Sequence, residues 1–228
     1  MRIIRAVGIV VLVGTNMLCG VSRVVPAEDA KPTDSKTWTF DADHVGEVPS
    51  GFSFGRTGSG RAGRWIVQAE QDAPSGVNVL AQVDADTTDD RFPVAVASEL
   101  ELGDVRLSVK CKMASGEIDQ ACGLVFRYQD ENNYYVTRAN VLENNVRLYH
   151  VLKGDRRQCA SWSGPVKTGV WHELKVEAQG DHLLVFWDGQ KVIDAHDQTV
   201  SRAGKVGVWT KADSVTYFDD LKVEPVEP

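Results

Sequence analysis

Arginine, tyrosine and asparagine residues recur in short alternating runs along the segment from Gly123 to Lys153. Aromatic rings stack on the CH faces of sugars, and arginine and asparagine offer planar hydrogen-bonding groups. We therefore expect this segment to carry a carbohydrate-binding surface. Together with one residue from the loop that follows, the candidate binding residues are Arg127, Tyr135, Arg138, Asn140, Tyr149 and Trp162.

A sheet of consecutive hairpins must position these side chains. Two polar turns, Gln129–Asn133 and Glu143–Asn145, separate the runs, and period-two alternation predicts antiparallel strands with one buried and one solvated face. The register is not determined by the sequence, so Tyr134 and Tyr135 remain alternatives for the outward position. Trp162, in the predicted loop 159–165, would overhang the face. The competing interpretation places the tyrosines in the core and leaves the arginines merely solvated.

Hydrolysis of a glycosidic bond would require two carboxylic acids in the same groove. Glu143 and Asp155 are the nearest acids in sequence, with His150 as a candidate base. Each lies in or beside a predicted turn, which favours a structural role. The pattern therefore favours binding without catalysis.

The wider pattern predicts an all-β protein, an antiparallel two-sheet β-sandwich. No segment has a sustained helical period, and this excludes a parallel α/β fold. The domain is predicted to span residues 38–225. Its clearest strands are Val105–Met113, Cys122–Tyr128, Tyr134–Val141, Val146–Leu152, Trp171–Ala178, Leu183–Trp187, Lys205–Thr210 and Tyr217–Val223. The glycine-rich segment Phe52–Gly63 is predicted to be an exposed loop.

Three segments carry a resemblance to a known superfamily. They are Trp38–Gly46 (WTFDADHVG), Trp171–Asp194 (WHELKVEAQGDHLLVFWDGQKVID) and Gly204–Val223 (GKVGVWTKADSVTYFDDLKV). Their order resembles the concanavalin A-like jelly roll in its laminin G-like and glycoside hydrolase family 16-like versions. It also resembles the exported bacterial 3-keto-disaccharide hydrolase domains.

The resemblance implies two alternatives to simple glycan binding, a glycosidic-bond hydrolase and a laminin G-like module that binds a protein partner. It also implies that the first and last strands are adjacent, which brings Asp41 close to Asp219 and Asp220. Carboxylates and carbonyls from the two termini would there hold a structural calcium ion. The competing interpretation is that these aspartates cap strand ends through backbone amides. No cofactor is expected to be required.

A second motif departs from the family pattern. Glu117-Ile118-Asp119 resembles the first half of the family 16 catalytic sequence, but Gln120, Ala121 and Cys122 follow where a second glutamate is expected. Without that carboxylate no group protonates the leaving oxygen. We therefore interpret Glu117–Asp119 as a solvated turn.

The N-terminus predicts export. Arg2 and Arg5 precede an apolar run, and Val25-Pro26-Ala27 provides small residues before a cleavage position, so residues 1–27 are predicted to be a signal peptide. Residues 28–37 are predicted to be a flexible leader. The mature chain would have no transmembrane segment and would lie in the periplasm, at the cell surface or outside the cell. A net charge of −7 argues against nucleic-acid binding, which requires clustered Lys and Arg.

Three cysteines follow the predicted cleavage position. Cys111 and Cys122 flank a turn and would face each other as a disulfide, whereas the alternative is that all three, including Cys159, are buried thiols. No spacing of Cys and His residues predicts a zinc site.

Overall fold

A computed structural model describes residues 35–224 and Val226 of the chain. The predicted signal peptide (1–27) and most of the predicted leader (28–34) lie outside these described residues. The described residues form fifteen β-strands, and among them there is no helix of the length and apolarity that a membrane crossing requires. The prediction of an all-β protein is confirmed.

The strands form two antiparallel sheets, here called sheet A and sheet B. Sheet A contains, in spatial order, β13 (Gln190–His196), β12 (His182–Trp187), β11 (Trp171–Gln179), β6 (Val105–Ser115), β15 (Val215–Glu224), β4 (Asn78–Gln82) and β3 (Trp65–Ala69), with β1 (Lys36–Trp38) also paired to β15. Sheet B contains β10 (Asp155–Ser163), β9 (Asn145–Leu152), β8 (Asn133–Asn140), β7 (Ala121–Asp130), β14 (Lys205–Trp209), β5 (Arg91–Ala97) and β2 (Phe52–Gly58).

Three strands differ from the predictions. The first strand, β1, pairs with the last strand, as the resemblance implied, but it includes Lys36 and Thr37 of the predicted leader. The glycine-rich segment predicted to be a loop instead begins with β2, which pairs with β5 at the edge of sheet B. Residues 155–163 form β10 at the other edge, although their polar sequence shows no alternation.

The main core lies between the two sheets. Strand β6 alternates strictly, so that its odd-numbered residues from Val105 to Met113 are buried and the residues between them are partly exposed. From the neighbouring strands Leu174, Val176 and Leu183 are fully buried in the same core. This core fixes the direction of every second side chain in sheet B.

Cys111 and Cys122 form a disulfide. The bond does not close a hairpin within one sheet, because β6 belongs to sheet A and β7 to sheet B. It therefore joins the two layers at the point where the chain crosses between them. Cys159 is outside any disulfide.

Candidate functional site

Sheet B has a core-facing side and an outer face, and the candidate binding residues divide between them. Along β8, Tyr135 and Ala139 belong to the core cluster between the sheets. Because side chains alternate along a strand, Arg138 and Asn140 lie on the outer face. Tyr149 on β9 belongs to the second apolar cluster, on the same outer face. Three of the candidates therefore share one surface.

The other three candidates lie elsewhere. Tyr135 is fully buried, and its hydroxyl donates to the carboxylate of Asp197. The guanidinium of Arg127 is also buried, and it donates to the backbone carbonyls of Gly103, Val200 and Gly180.

Trp162 does not overhang the outer face. It lies within β10, opposite Val146, and packs against the core cluster between the sheets. The register of sheet B and the extension of β10 through residue 163 thus place Tyr135 and Trp162 on the core side. The outer face consequently contains Arg138, Asn140 and Tyr149 of the predicted set.

Apolar and aromatic side chains line the outer face of sheet B. Phe92 and Trp209 stack with ring centroids 5.6 Å apart, and Tyr134 packs against Tyr128 at 5.5 Å. Gly123 lies beneath this layer, where an added Cβ atom would come within 3.0 Å of the Trp209 ring. The glycine therefore lets the indole lie close to β7.

Arg156, which the sequence analysis did not identify, extends across this aromatic layer from β10. Its guanidinium carbon lies 4.3 Å from the ring centroid of Phe92 and 4.7 Å from that of Tyr149, with Trp209 at 5.9 Å. Strands β10 and β5 are five positions apart in the sheet, which would be about 24 Å in a flat sheet with the usual strand spacing. Contact between their side chains requires the sheet to curve, so the outer face is concave.

A hydrogen-bonded group surrounds Glu143 at one end of this face. Its carboxylate accepts from both Arg138 and Arg147 at 2.9 Å and from the Asn145 amide at 3.0 Å. The Tyr149 hydroxyl lies 3.3 Å from Arg138 and 3.4 Å from Arg147. Although burial acts in the opposite direction, the hydrogen bonds from Asn145 and Arg138 lower the pKa of Glu143. Glu143 is therefore ionised, and it holds the guanidinium groups of Arg138 and Arg147 in place.

Three arginine nitrogens on the outer face are buried and have no hydrogen-bond partner. They are Nε of Arg138, Nε of Arg147 and Nη1 of Arg156. A buried donor without an acceptor costs about 1–3 kcal/mol, and more when it carries charge. Such a concentration of unpaired charged donors on one concave face favours an oxygen-rich ligand.

Asp119 lies at the same end of the face and is not solvated. Glu117 is exposed, as expected for a turn, but Asp119 is 2% exposed and bonds the amide of Asn140. Lys211 contacts its other carboxylate oxygen at 2.8 Å. Burial raises the pKa of Asp119 despite that lysine. Asp119 lies in the predicted turn between β6 and β7, but the prediction that it is solvated was wrong, because the lysine and the amide that contact it are distant in sequence.

Glu143 lies apart from the other acid and the base considered for hydrolysis. Glu143 lies at the outer face, whereas His150 lies on the core-facing side of β9, beside Asp197. Asp155 is exposed at the start of β10 and pairs with Arg157. His150 and Asp155 line one surface depression that Glu143 does not share, so the two acids do not face each other across one groove.

The predicted calcium ligands surround one loop of sheet A. Asp41 accepts from the backbone N–H groups of Val77 and Asn78, and Asp219 accepts from that of Ser75 at 2.9 Å. The Ser75 hydroxyl donates to Asp220 at 2.8 Å. The three carboxylates thus contact the same short loop, and several of their oxygens accept hydrogen bonds from it. A calcium ion at Asp41, Asp219 and Asp220 stays a prediction.

Comparison with known protein families identifies the family of this chain. The profile of the 3-keto-alpha-glucoside-1,2-lyase-like domain matches residues 53–224. The chain belongs to this family. Among curated proteins, levanase of Bacillus subtilis is 30% identical over 107 residues, which is 46% of this chain and 15% of levanase. The chain therefore spans only a small part of that relative.

Solved structures confirm the fold at low sequence identity. The carbohydrate binding module CBM66 from Bacillus subtilis superposes with a TM-score of 0.59 at 21% identity, covering 76% of this chain and 96% of that structure. A β-glucanase from Bacillus licheniformis gives a TM-score of 0.57 at 10% identity, covering 86% of this chain and all of the glucanase. The prediction of a concanavalin A-like jelly roll is confirmed, and the family places this β-sandwich among carbohydrate-associated proteins.

Proposed function

We propose that the outer face of sheet B binds carbohydrate without cleaving it. The observation that carries this proposal is the occurrence of three buried, unpartnered arginine nitrogens on one concave face. A sugar presents several hydroxyl oxygens around an apolar ring face, so it satisfies charged donors and contacts aromatic rings at the same time. Arg147 and Arg156 are partly exposed and would meet the sugar first.

The aromatic floor supports the same ligand class. Tyr149 lies between the arginine network and Arg156, where its ring and its hydroxyl both belong to the face. The net charge of −7 makes a nucleic acid an unsuitable ligand. If residues 1–27 act as the predicted signal peptide, the ligand would be a glycan met in the periplasm, at the cell surface or outside the cell.

Two neighbouring arginines of β10 provide a matched test. Arg156 lies on the concave face, whereas Arg157 points to the exposed Asp155. We expect Arg156→Met to weaken retention in affinity electrophoresis through levan or β-glucan at least tenfold, because the thioether fills the stem position without a charged donor. Arg157→Met and Trp162→Ala should retain wild-type mobility shifts.

Equal loss of retention in Arg157→Met, or no loss in Arg156→Met, would contradict this assignment of the face. If the chain binds none of the polysaccharides but captures an exported protein, this result would instead support the protein-interaction alternative.

A second function has a specific observation in its favour, namely the buried carboxylate of Asp119 beside Arg138 at the end of the face. The family name describes a 1,2-lyase acting on 3-keto-glucosides. In such an elimination Asp119 would take the C2 proton, which the adjacent ketone acidifies. The C2–H electrons form a C1–C2 double bond, and the C1–O bond breaks with its electrons on the glycosidic oxygen, which takes up a proton. No oxidant is consumed.

The elimination is tested by incubating the protein with a 3-keto-disaccharide and following release of the second sugar by chromatography. A lyase would release it and would lose at least a hundredfold in rate in Asp119→Asn. Retention on polysaccharide with no release from the 3-keto-disaccharide would leave binding as the function.

A further inference from the structure

A cysteine, a histidine and an aspartate meet on the core-facing side of sheet B, behind the outer face. The Nδ1 atom of His150 lies 3.1 Å from Oδ2 of Asp197, and Sγ of Cys159 lies 3.5 Å from that nitrogen and 3.4 Å from that oxygen. In the described part of the chain, this is the one trio of His, Cys, Asp or Glu residues whose ligand atoms all lie within 4.8 Å of one another.

We propose that His150, Cys159 and Asp197 bind a zinc ion. Zinc forms bonds of about 2.0–2.3 Å with nitrogen, sulfur and oxygen, and a tetrahedral arrangement then separates the ligand atoms by about 3.4–3.6 Å. The three observed separations are close to these values, so one ion reaches all three atoms with a small adjustment. A thiolate and an imidazole favour zinc over the hard cations calcium and magnesium.

Hydrogen bonding alone accounts for this arrangement less well. The neutral imidazole and the thiol together offer at most one Nδ1–H and one S–H proton for three short contacts. One contact therefore remains unexplained, whereas a single ion explains all three.

A nucleophilic triad also fits poorly. A catalytic histidine uses one ring nitrogen for the nucleophile and the other for the acid. Here the sulfur and the carboxylate both approach the same Nδ1 of His150.

The surroundings of Asp197 direct it towards the proposed ion. Its Oδ1 accepts hydrogen bonds from the Tyr135 hydroxyl and, at 2.8 Å, from the backbone N–H of Thr199. This leaves Oδ2 facing His150 and Cys159. Partners that hold a metal ligand in this way are a regular feature of metal sites. Tyr135, expected to bind sugar, would thus act as a positioning residue for the metal.

The site lies where the two sheets have open edges. His150 belongs to β9 and Cys159 to the edge strand β10 of sheet B, and Asp197 follows β13, the edge strand of sheet A. An ion at this point would link the two layers. His150 also lines a surface depression with Lys153, Asp155 and Arg157, which gives solvent and the ion a path of entry. A solvent molecule would complete a coordination of three protein ligands.

Cobalt serves as a spectroscopic probe for the site. Chelator-treated, reduced full-length protein titrated with Co²⁺ should develop the near-ultraviolet band of a sulfur–cobalt bond and the visible bands of tetrahedral cobalt. One equivalent of Zn²⁺ should remove them. Cys159→Ser should lose the sulfur band, and His150→Gln and Asp197→Asn should weaken Zn²⁺ binding at least a hundredfold. Tyr135→Phe should weaken it about 10–100-fold, as expected for an indirect partner.

Two controls keep a folding defect from being mistaken for a lost ligand. His182→Gln removes an exposed histidine paired with Asp194 and should bind Zn²⁺ like the wild type. Thermal unfolding without metal should give the same midpoint for Cys159→Ser and the wild type, whereas Zn²⁺ should raise only the wild-type midpoint. Absence of the sulfur band in folded wild-type protein, or Zn²⁺ binding unchanged by Cys159→Ser, would overturn the proposal. Either of these two results would leave the proposal of carbohydrate binding at the outer face of sheet B unchanged.

Discussion

Asp219 is fully buried, and burial together with the neighbouring charge of Asp220 raises its pKa to about 6. The unfolded chain has an ordinary aspartate pKa of about 3.9. The native state therefore binds the proton more tightly between about pH 4 and pH 6. The stability contributed by this proton is fully present below about pH 4 and is lost as the pH rises through about 6.

The corresponding prediction concerns the slope of stability against pH. In chelator-containing buffer, the free energy of unfolding by urea should fall between pH 4 and 6.5 more steeply in the wild type than in Asp219→Asn, which cannot titrate. Asp155→Asn, at an exposed position of β10, should keep the wild-type slope. An unchanged slope in Asp219→Asn would show that this carboxylate does not titrate in the window.

A calcium ion near Asp219 would offset the repulsion between the carboxylates of Asp219 and Asp220. Calcium added to chelator-treated protein at pH 7 should raise the midpoint of thermal unfolding, because it binds only the native arrangement of carboxylates. Asp41→Asn and Asp220→Asn should each reduce this increase. An unfolding midpoint independent of calcium would reject the predicted ion.

Among the strands, periodicity predicted the position of most central elements but not the edges. Strands β6 and β11 alternate because one side of each contacts the core, and that contact is visible in the sequence. Strand β10 begins with four polar residues, Asp155–Gln158, and shows no alternation, so neither its existence nor Arg156 on its outer side could be inferred. Tyr134 and Tyr135 have the same chemistry, and only the pairing of β8 with β7 and β9 decides which one faces the core.

The disulfide between β6 and β7 should act on the stability of the whole sandwich. It joins residues separated by 11 positions and by one change of sheet. Replacing both cysteines by alanine should lower the free energy of unfolding by about 2–4 kcal/mol, because the unfolded chain regains loop entropy. Urea unfolding measures this effect, and the slope of the unfolding free energy against urea concentration is compared between the variant and the wild type. Replacing Cys159 alone, without added metal, should leave the stability nearly unchanged.

Across the whole molecule, sheet B has different chemistry on its two sides. Its concave outer face carries Arg138, Arg147 and Arg156 over an aromatic floor. Its core-facing margin carries His150 and Cys159, which meet Asp197 from the edge of sheet A. The first arrangement was partly visible in sequence, since Arg138, Asn140 and Tyr149 lie in one pair of strands. The second was not, because Asp197 is 47 residues from His150 and comes close only when the two sheet edges meet.

The most direct test of the central claim is a nuclear magnetic resonance titration of isotope-labelled protein with the oligosaccharide of the polysaccharide that best retains it. Binding at the outer face predicts shift changes for the backbone amides of β8, β9, β10 and β14, together with the Trp209 indole, and little change in β3, β4 and β12. Shift changes confined to sheet A, or to the Ser75–Asn78 loop, would contradict the account.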